Sequence, residues 1–435
     1  MKHLLILILF ALTTNLKSQS LYFPPLTGNN WDTLSPTALG WCQDKIDILL
    51  NYLEDNNSKV FILLKDGKIV IEKYFGTFTQ DSVWYWASAG KTLTSFIVGI
   101  AQQENYLSIN DTTSQYLGQG WTNCTSAQEE KITIWHQLTM TSGFDDGVPD
   151  NHCTLDTCLN YLADAGTRWA YHNAPYTLLE AVIPNATGQT LNNYTHQKLK
   201  IPTGITGAFF LSGYDNIFYS KARSMARFGL LILNNGNWNG NQIMTDTSYF
   251  NQMVNTSQSL NKSYGYLWWL NGKPSYMLPT LQFVFSGFLN PNAPNDMIAA
   301  LGKNEQIINV VPSQNLVFIR MGNAPGTRTL PITFNDTIWQ KLKDVMCNTS
   351  IENSTRKSSE LKAYPNPSHN FSIIELSNQH FDLTVFDFTG RIVYQKQNCF
   401  DKTELHTQNY QNGVYFVQLT TDKNQILNQK LMIYR

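Results

Sequence analysis

The chain has 435 residues, enough for one large domain with an appendage or for two or three ordinary domains, and its formal net charge is −1. Only 14% of residues are charged and no Lys/Arg-rich run is present to track phosphates, which argues against nucleic acid as a partner. Aromatic residues reach 13%, a composition that suits an exported protein with polar, uncharged loops.

Residues 1–19 read as a signal peptide: a short basic start, an apolar run from Leu4 to Leu12, then polar residues, with cleavage expected near Gln19 and Ser20. The apolar run is too short for a bilayer, which takes about 20 residues. No later segment is apolar enough to span one, so the mature protein is expected to be secreted or held at the cell surface after passing through the periplasm. Six cysteines are too few for a disulfide scaffold. Cys153 and Cys158 are close enough to close a small loop, and Cys42 with Cys347 could join the two ends of the first domain. The spacings lack a paired CxxC, so no metal site is expected, and nothing in the motifs calls for a cofactor.

"KIDILLNYLEDNN" has helical apolar spacing, and "KVFILLKDGKIVIEKYFG" is two β-rich runs joined by Asp66-Gly67, which predicts a helix followed by a hairpin. A second helix begins near Ser88 and is apolar at Leu93, Phe96, Ile97, Ile100 and Ala101, one face turned to a core. "KITIWHQLTMTSGF" predicts another, capped by Thr133 and stopped near Gly143. "KARSMARFGLLILNNGNWNGNQIM" is a further helix ended by Gly-containing turns, and "NLVFIRMGN" from Asn315 a buried strand. Helices lying between an early hairpin and late strands predict an α+β domain, residues 20–348, whose sheet is assembled from both ends. A polar linker at 349–360 leads to residues 361–435, where short β-runs alternate with turns as in a small all-β sandwich.

Ser88 and Lys91 lie three apart on a helix, on one face, where the amine can reach the hydroxyl. A free serine is a poor nucleophile and an ordinary lysine a poor base at neutral pH, so burial or a neighbouring group must tune the pair. SxxK alone is weak, since Ser259/Lys262, Ser354/Lys357 and Ser359/Lys362 spell it too. The context is more specific. "SAGKTLTSFIVGIAQQENYLSINDTTSQYL", "ITIWHQLTMTSGF", "RWAYHNAPYTLLEAV" and "FGLLILNNGNWNG" together resemble the serine β-lactamase-related family of class C-like hydrolases and penicillin-recognising peptidases, from about Lys45 to Asn323. The resemblance implies a β-lactamase/transpeptidase-like fold, an antiparallel sheet flanked by helices plus an all-helical region. It also implies an acyl-enzyme mechanism on an ester, amide or peptide substrate. Carried over, Ser88 is the nucleophile, Lys91 its proton partner and Tyr171, of Tyr171-His172-Asn173, the group that takes or relays the proton. Asn173 would bind the substrate amide or the lysine. YxN recurs at Tyr214/Asn216 and Tyr249/Asn251, but only Tyr171 has the family's lead-in and following helix.

The family's third element, Lys/His-Thr/Ser-Gly on an edge strand, is missing. Counting back from "VVPSQNLVFIRMG" puts Met297-Ile298-Ala299 at its place. An oxyanion hole needs only N–H groups, here expected from Ser88 and from near Ala300. Lys303 is the candidate replacement for the absent cation, whose loss weighs against β-lactamase or D-peptidase activity. A catalytically silent surface binding protein is the remaining alternative. His172 and His136 are read as structural, Trp268-Trp269 as core that could line a cleft, and Asp145-Asp146 as a solvated turn. In the tail, "LKAYPNPSHNFSIIEL", "VFDFTGRIVYQ", "NGVYFVQL" and "KLMIYR" resemble a type IX secretion C-terminal sorting domain, which implies the secretion machinery as a partner.

Overall fold

The computed structural model describes residues 21–325, 331–347, 361–422 and 426–434; the expected signal peptide and the linker at 349–360 lie outside them. Six strands form the main sheet: β1 (Ser58–Lys65), β2 (Lys68–Tyr74), β3 (Trp269–Leu270), β4 (Ile298–Gly302), β5 (Gln306–Val311) and β6 (Leu316–Gly322). They lie in the order β2-β1-β6-β5-β4-β3, antiparallel throughout, so the early hairpin pairs with the last strand of the domain. Between β1 and β2, Asp66 and Gly67 both take positive φ, 53° and 81°, the conformation a two-residue hairpin loop demands and Asp-Gly tolerates.

The longer helices are α1 (Gln43–Asp55), α2 (Lys91–Gln103), α3 (Asn173–Thr187), α4 (Ala222–Leu233) and α5 (Pro331–Val345); α1, α4 and α5 pack on this sheet, and α2 and α3 pack on each other beside it. Successive residues of β6 point to opposite faces. Val317 meets α4, where a Cβ on Gly229 would come within 2.5 Å of its side chain, while Phe318 stacks near Trp339 of α5 at 5.4 Å. Both faces of the sheet are therefore covered, which explains why β1 and β6 are apolar without alternation. Tyr52 of α1 stacks on Phe334 of α5 at 5.7 Å, and the Cys42–Cys347 disulfide joins the same two helices. Cys153 pairs with Cys158.

Two helices differ from the sequence expectation. Every residue of α2 from Lys91 to Ala101 is buried, so it is a core helix rather than one with a single apolar face. The hydroxyls of its Thr92 and Thr94 donate inside the protein, to the Ala89 carbonyl and to Glu180. The helix after Thr133 spans only Ile134–Leu138, because Met140 adopts φ 60° and turns the chain out of it well before Gly143.

The tail comprises β7 (Lys362–Tyr364), β8 (Phe371–Phe386), β9 (Ile392–His406), β10 (Gly413–Thr421) and β11 (Ile426–Ile433). β9 pairs with both halves of β8, with a register shift between Glu375 and His380, while on its other edge β8 pairs first with β7 and then with β10; the sheet encloses a core that includes Leu383, Val417 and Leu431. This β-domain packs against the segment from Tyr276 to Leu289. Phe386 lies 5.2 Å from Phe283, Phe416 lies 4.9 Å from Phe285, and the Ser286 hydroxyl donates to the Ile426 carbonyl.

Candidate active site

Ser88 sits on a 3-10 turn, Ala87–Gly90, that runs straight into α2. Ala87 takes φ 47°, a left-handed backbone that costs about 1–2 kcal/mol for an alanine. Packing holds it there: Trp86, fully buried, donates through Nε1 to Ser220 Oγ at 2.8 Å and through its backbone to the Phe218 carbonyl at 2.9 Å. From the other side β4 presses on the turn. A Cβ on Gly302 would lie 2.6 Å from the Trp86 carbonyl oxygen, 2.8 Å from the Ala89 nitrogen and 3.1 Å from the Ser88 nitrogen, so only glycine fits.

The spacing of three brings Lys91 back over the turn. Its Nζ donates to Ser88 Oγ and to Asn173 Oδ1, both at 2.9 Å. The amine lies 4.0 Å above the Tyr176 ring and 5.1 Å from that of Tyr171. Burial penalises its charged form and lowers the pKa from 10.5 to about 7, against the opposing pull of Asp215 and Glu180. Burial acts in the opposite sense on Tyr171, whose hydroxyl is pushed up to about 12 although its hydrogen bond with Ser88 favours ionisation. The site thus holds a lysine poised to lose its proton at neutral pH beside a tyrosine that keeps one.

Ser88, Tyr171 and Trp269 open on a cleft of about 280 Å³ whose other walls are Leu278–Thr280, Leu301–Lys303 and Ile332. Tyr171 stacks on Trp269 at 5.8 Å, while neighbouring Trp268 packs on Phe228 in the core. Lys303 is exposed at the rim.

The edge strand is read in a different register from the sequence expectation. Met297 accepts from Asn271, and Ile298-Ala299 pair with β3, so that stretch of edge is covered. The residue of β4 that comes against the Ser88 turn is Gly302, three residues beyond Ala299. Ladder alternation turns the peptide groups of Ala300 toward β5 and those of Leu301 toward the open edge. Ala300 is fully buried and does not line the cleft. The part of this edge that lines the cleft is Leu301–Lys303.

Several sequence candidates lie elsewhere. Tyr249 donates to the Ser95 carbonyl inside the core, and Ser259/Lys262 are in a loop outside the cleft. Asp146 pairs with Arg168 while Asp145 caps the Gly147 N–H, so the two carboxylates diverge. Burial lowers His136 and His172 each to about 4, and both are neutral. Behind the site stand groups the sequence did not announce. Buried Glu180 accepts from Thr94 at 3.0 Å and is raised to about 8 by desolvation. Asn173 Nδ2 faces Asn151 and His152, and His152 in turn meets Asp215. None has a local spacing that ties it to Ser88.

Residues 57–335 match the family model described as Beta-lactamase, and residues 362–434 match that of the Secretion system C-terminal sorting domain. An uncharacterized protein of Alkalihalophilus pseudofirmus is 25% identical over 311 residues, covering 62% of this chain and 85% of that protein. A putative penicillin-binding protein of Bacillus subtilis is 24% identical over 40% of this chain and 46% of its own length. Among solved structures, a putative beta-lactamase from Bacteroides dorei aligns with TM-score 0.57 and 15% identity over 71% of this chain and 99% of that one. A putative 6-aminohexanoate-dimer hydrolase from Bacillus anthracis aligns with TM-score 0.54 and 19% identity, over 75% and 88%.

Proposed function

The chain belongs to the β-lactamase family and carries a secretion sorting domain, and from that premise we propose that it is an exported serine hydrolase that turns over neutral ester or amide substrates through an acyl-enzyme on Ser88. The observation that carries this reading is Lys91: buried between two aromatic rings, within 2.9 Å of Ser88 Oγ and with its pKa brought down to about 7. Evolving only a binding pocket gives no reason to bury an amine at that cost. Export by the type IX route is the reading of the tail, with the secretion machinery as its partner.

Ser88 Oγ attacks the acyl carbonyl while its proton passes to the neutral amine of Lys91. The opposite displacements of Lys91 and Tyr171 favour this division of labour: the lysine is the base, and the protonated tyrosine relays a proton to the leaving oxygen or nitrogen as the acyl bond breaks. Water then attacks the ester on Ser88, giving up a proton along the same path, and the acid departs. The tetrahedral oxyanion is held by the Ser88 N–H and an N–H of Leu301–Lys303. The Lys/His-Thr/Ser-Gly element is missing from this chain. Lacking its charge-assisted hydrogen bond, worth about 1.5–3 kcal/mol, a substrate carboxylate loses roughly one to two factors of ten in binding. Neutral acyl groups lose nothing, so esters and internal amides are favoured over β-lactams and C-terminal peptides.

Labelling with a fluorophosphonate followed by peptide mapping tests the assignment. The adduct is expected on Ser88 and is abolished in Ser88→Ala, which keeps its fold. On a panel of esters, peptides and β-lactams, small neutral esters should turn over fastest. An adduct on Ser259, or penicillin turnover that outpaces the esters and survives Lys303→Ala, contradicts the reading.

A further inference from the structure

The Asn173 side chain makes three hydrogen bonds, one through its oxygen and one through each amide hydrogen. Its Oδ1 accepts from Lys91 at 2.9 Å, while Nδ2 faces Asn151 Oδ1 at 3.0 Å and His152 Nε2 at 3.1 Å. His152 Nδ1 lies 2.6 Å from Asp215 Oδ2, and the other carboxylate oxygen of Asp215 accepts from Thr177 at 3.1 Å. Asp215 is a carboxylate, held below its ordinary range chiefly by His152 against the effect of burial. It can only accept, so the Nδ1 proton points to it and the Nε2 lone pair is left for the Asn173 amide.

That tautomer matters for the base. With Oδ1 toward Lys91, the amine donates to Asn173 and its lone pair stays free for the proton of Ser88. With the amide turned over, Nδ2 would donate into that lone pair and occupy it. We propose that His152, clamped by Asp215, is a positioning residue that fixes the amide of Asn173 and so keeps the Lys91 lone pair free for the proton of Ser88. This rests on the hydrolase reading given above.

The loop that carries His152 is itself held in place. The Cys153–Cys158 disulfide follows His152 directly, and the His152 backbone N–H is taken by Asp150 Oδ1 at 3.0 Å.

The test is kcat/KM for p-nitrophenyl acetate across pH, with wild-type, His152→Gln and His152→Leu full-length protein. Glutamine can accept from Asn173 and donate to Asp215, so its variant should stay within about threefold of wild type. Leucine leaves the amide unpinned and should lower kcat/KM about ten- to a hundredfold, with the loss in kcat and KM little changed. A glutamine variant as impaired as the leucine variant, or a leucine variant matching wild type at every pH, overturns the inference alone. A wild-type protein that neither hydrolyses the ester nor is acylated at Ser88 overturns the hydrolase reading and the inference with it.

Discussion

Replacing Lys91 with methionine should stabilise the protein at neutral pH while ending catalysis. A lysine whose pKa falls from 10.5 unfolded to about 7 folded binds fewer protons in the native state between those values. Stability therefore rises with pH across that window, and the burden is fully present below pH 7. Each unit is worth 1.36 kcal/mol, so the burden is about 4 kcal/mol at pH 7, about 2 at pH 9 and near zero above pH 10.5. Methionine fills a similar volume without charge but leaves Asn173 Oδ1 and Ser88 Oγ without the hydrogen bonds they accept, at about 1 kcal/mol each. The net is a gain of about 2 kcal/mol at pH 7 that vanishes near pH 9 and turns into a loss above it. Urea unfolding followed by the fluorescence of the protein's 11 tryptophans, at pH 6, 7 and 9, reads it directly. A Lys91→Met protein less stable than wild type at pH 6, or a difference that does not change with pH, would refute the argument that burial has tuned this amine.

Tyr171→Phe keeps the stack on Trp269 but removes the relay, so kcat should fall about 10²- to 10⁴-fold with KM little changed and the limb near pH 7 retained, as steady-state kinetics across pH will show. Gly302→Ala drives a methyl into backbone atoms of Trp86 and Ala89 that cannot step aside. It should cost about 1–3 kcal/mol and slow fluorophosphonate labelling of Ser88, whereas wild-type labelling would mean that β4 can withdraw without harm to the site. A chain ending before Leu361 bares Phe283 and Phe285, now packed on Phe386 and Phe416, and should bind a hydrophobic fluorescent dye more strongly and show an altered KM. Unchanged dye binding and unchanged KM would mean that the contact is not kept in solution.

The parts of this molecule that were legible in its sequence are those whose signal is local. Asp66-Gly67 announces its hairpin because only a few residues accept its dihedral angles. Ser88 and Lys91 announce each other because three residues along a helical start are one turn apart. Tyr171 and Asn173 carry no such internal signal, and only a resemblance brought them to the serine from 83 and 85 residues away. The residue of β4 that meets the Ser88 turn carries no sequence mark, since the run Met297–Leu301 is uniformly apolar. What fixes the register is a clearance, the space between Gly302 and the turn at Trp86–Ala89, which exists only after folding. His152, Asp215 and Glu180 were silent for the same reason, since each acts through a partner far away in the chain.

The tail raises a matter of coupling. A sorting domain read from sequence is a separate unit, and its removal should then leave the cleft untouched. Yet Leu278 and Ile332 each face two ways: they wall the cleft beside Ser88 and also border the surface on which Phe416 and Lys430 rest. Lys430 Nζ donates to Thr333 Oγ1 at 3.3 Å, next to Ile332 at the head of α5. Tyr276 stacks on Phe285 at 5.2 Å, so the ring that meets the tail is continuous with the segment leading into Leu278–Thr280. These walls have little regular structure of their own, and what holds them is aromatic packing, part of which the tail supplies. A chain without its tail would therefore present a cleft wall one aromatic neighbour poorer.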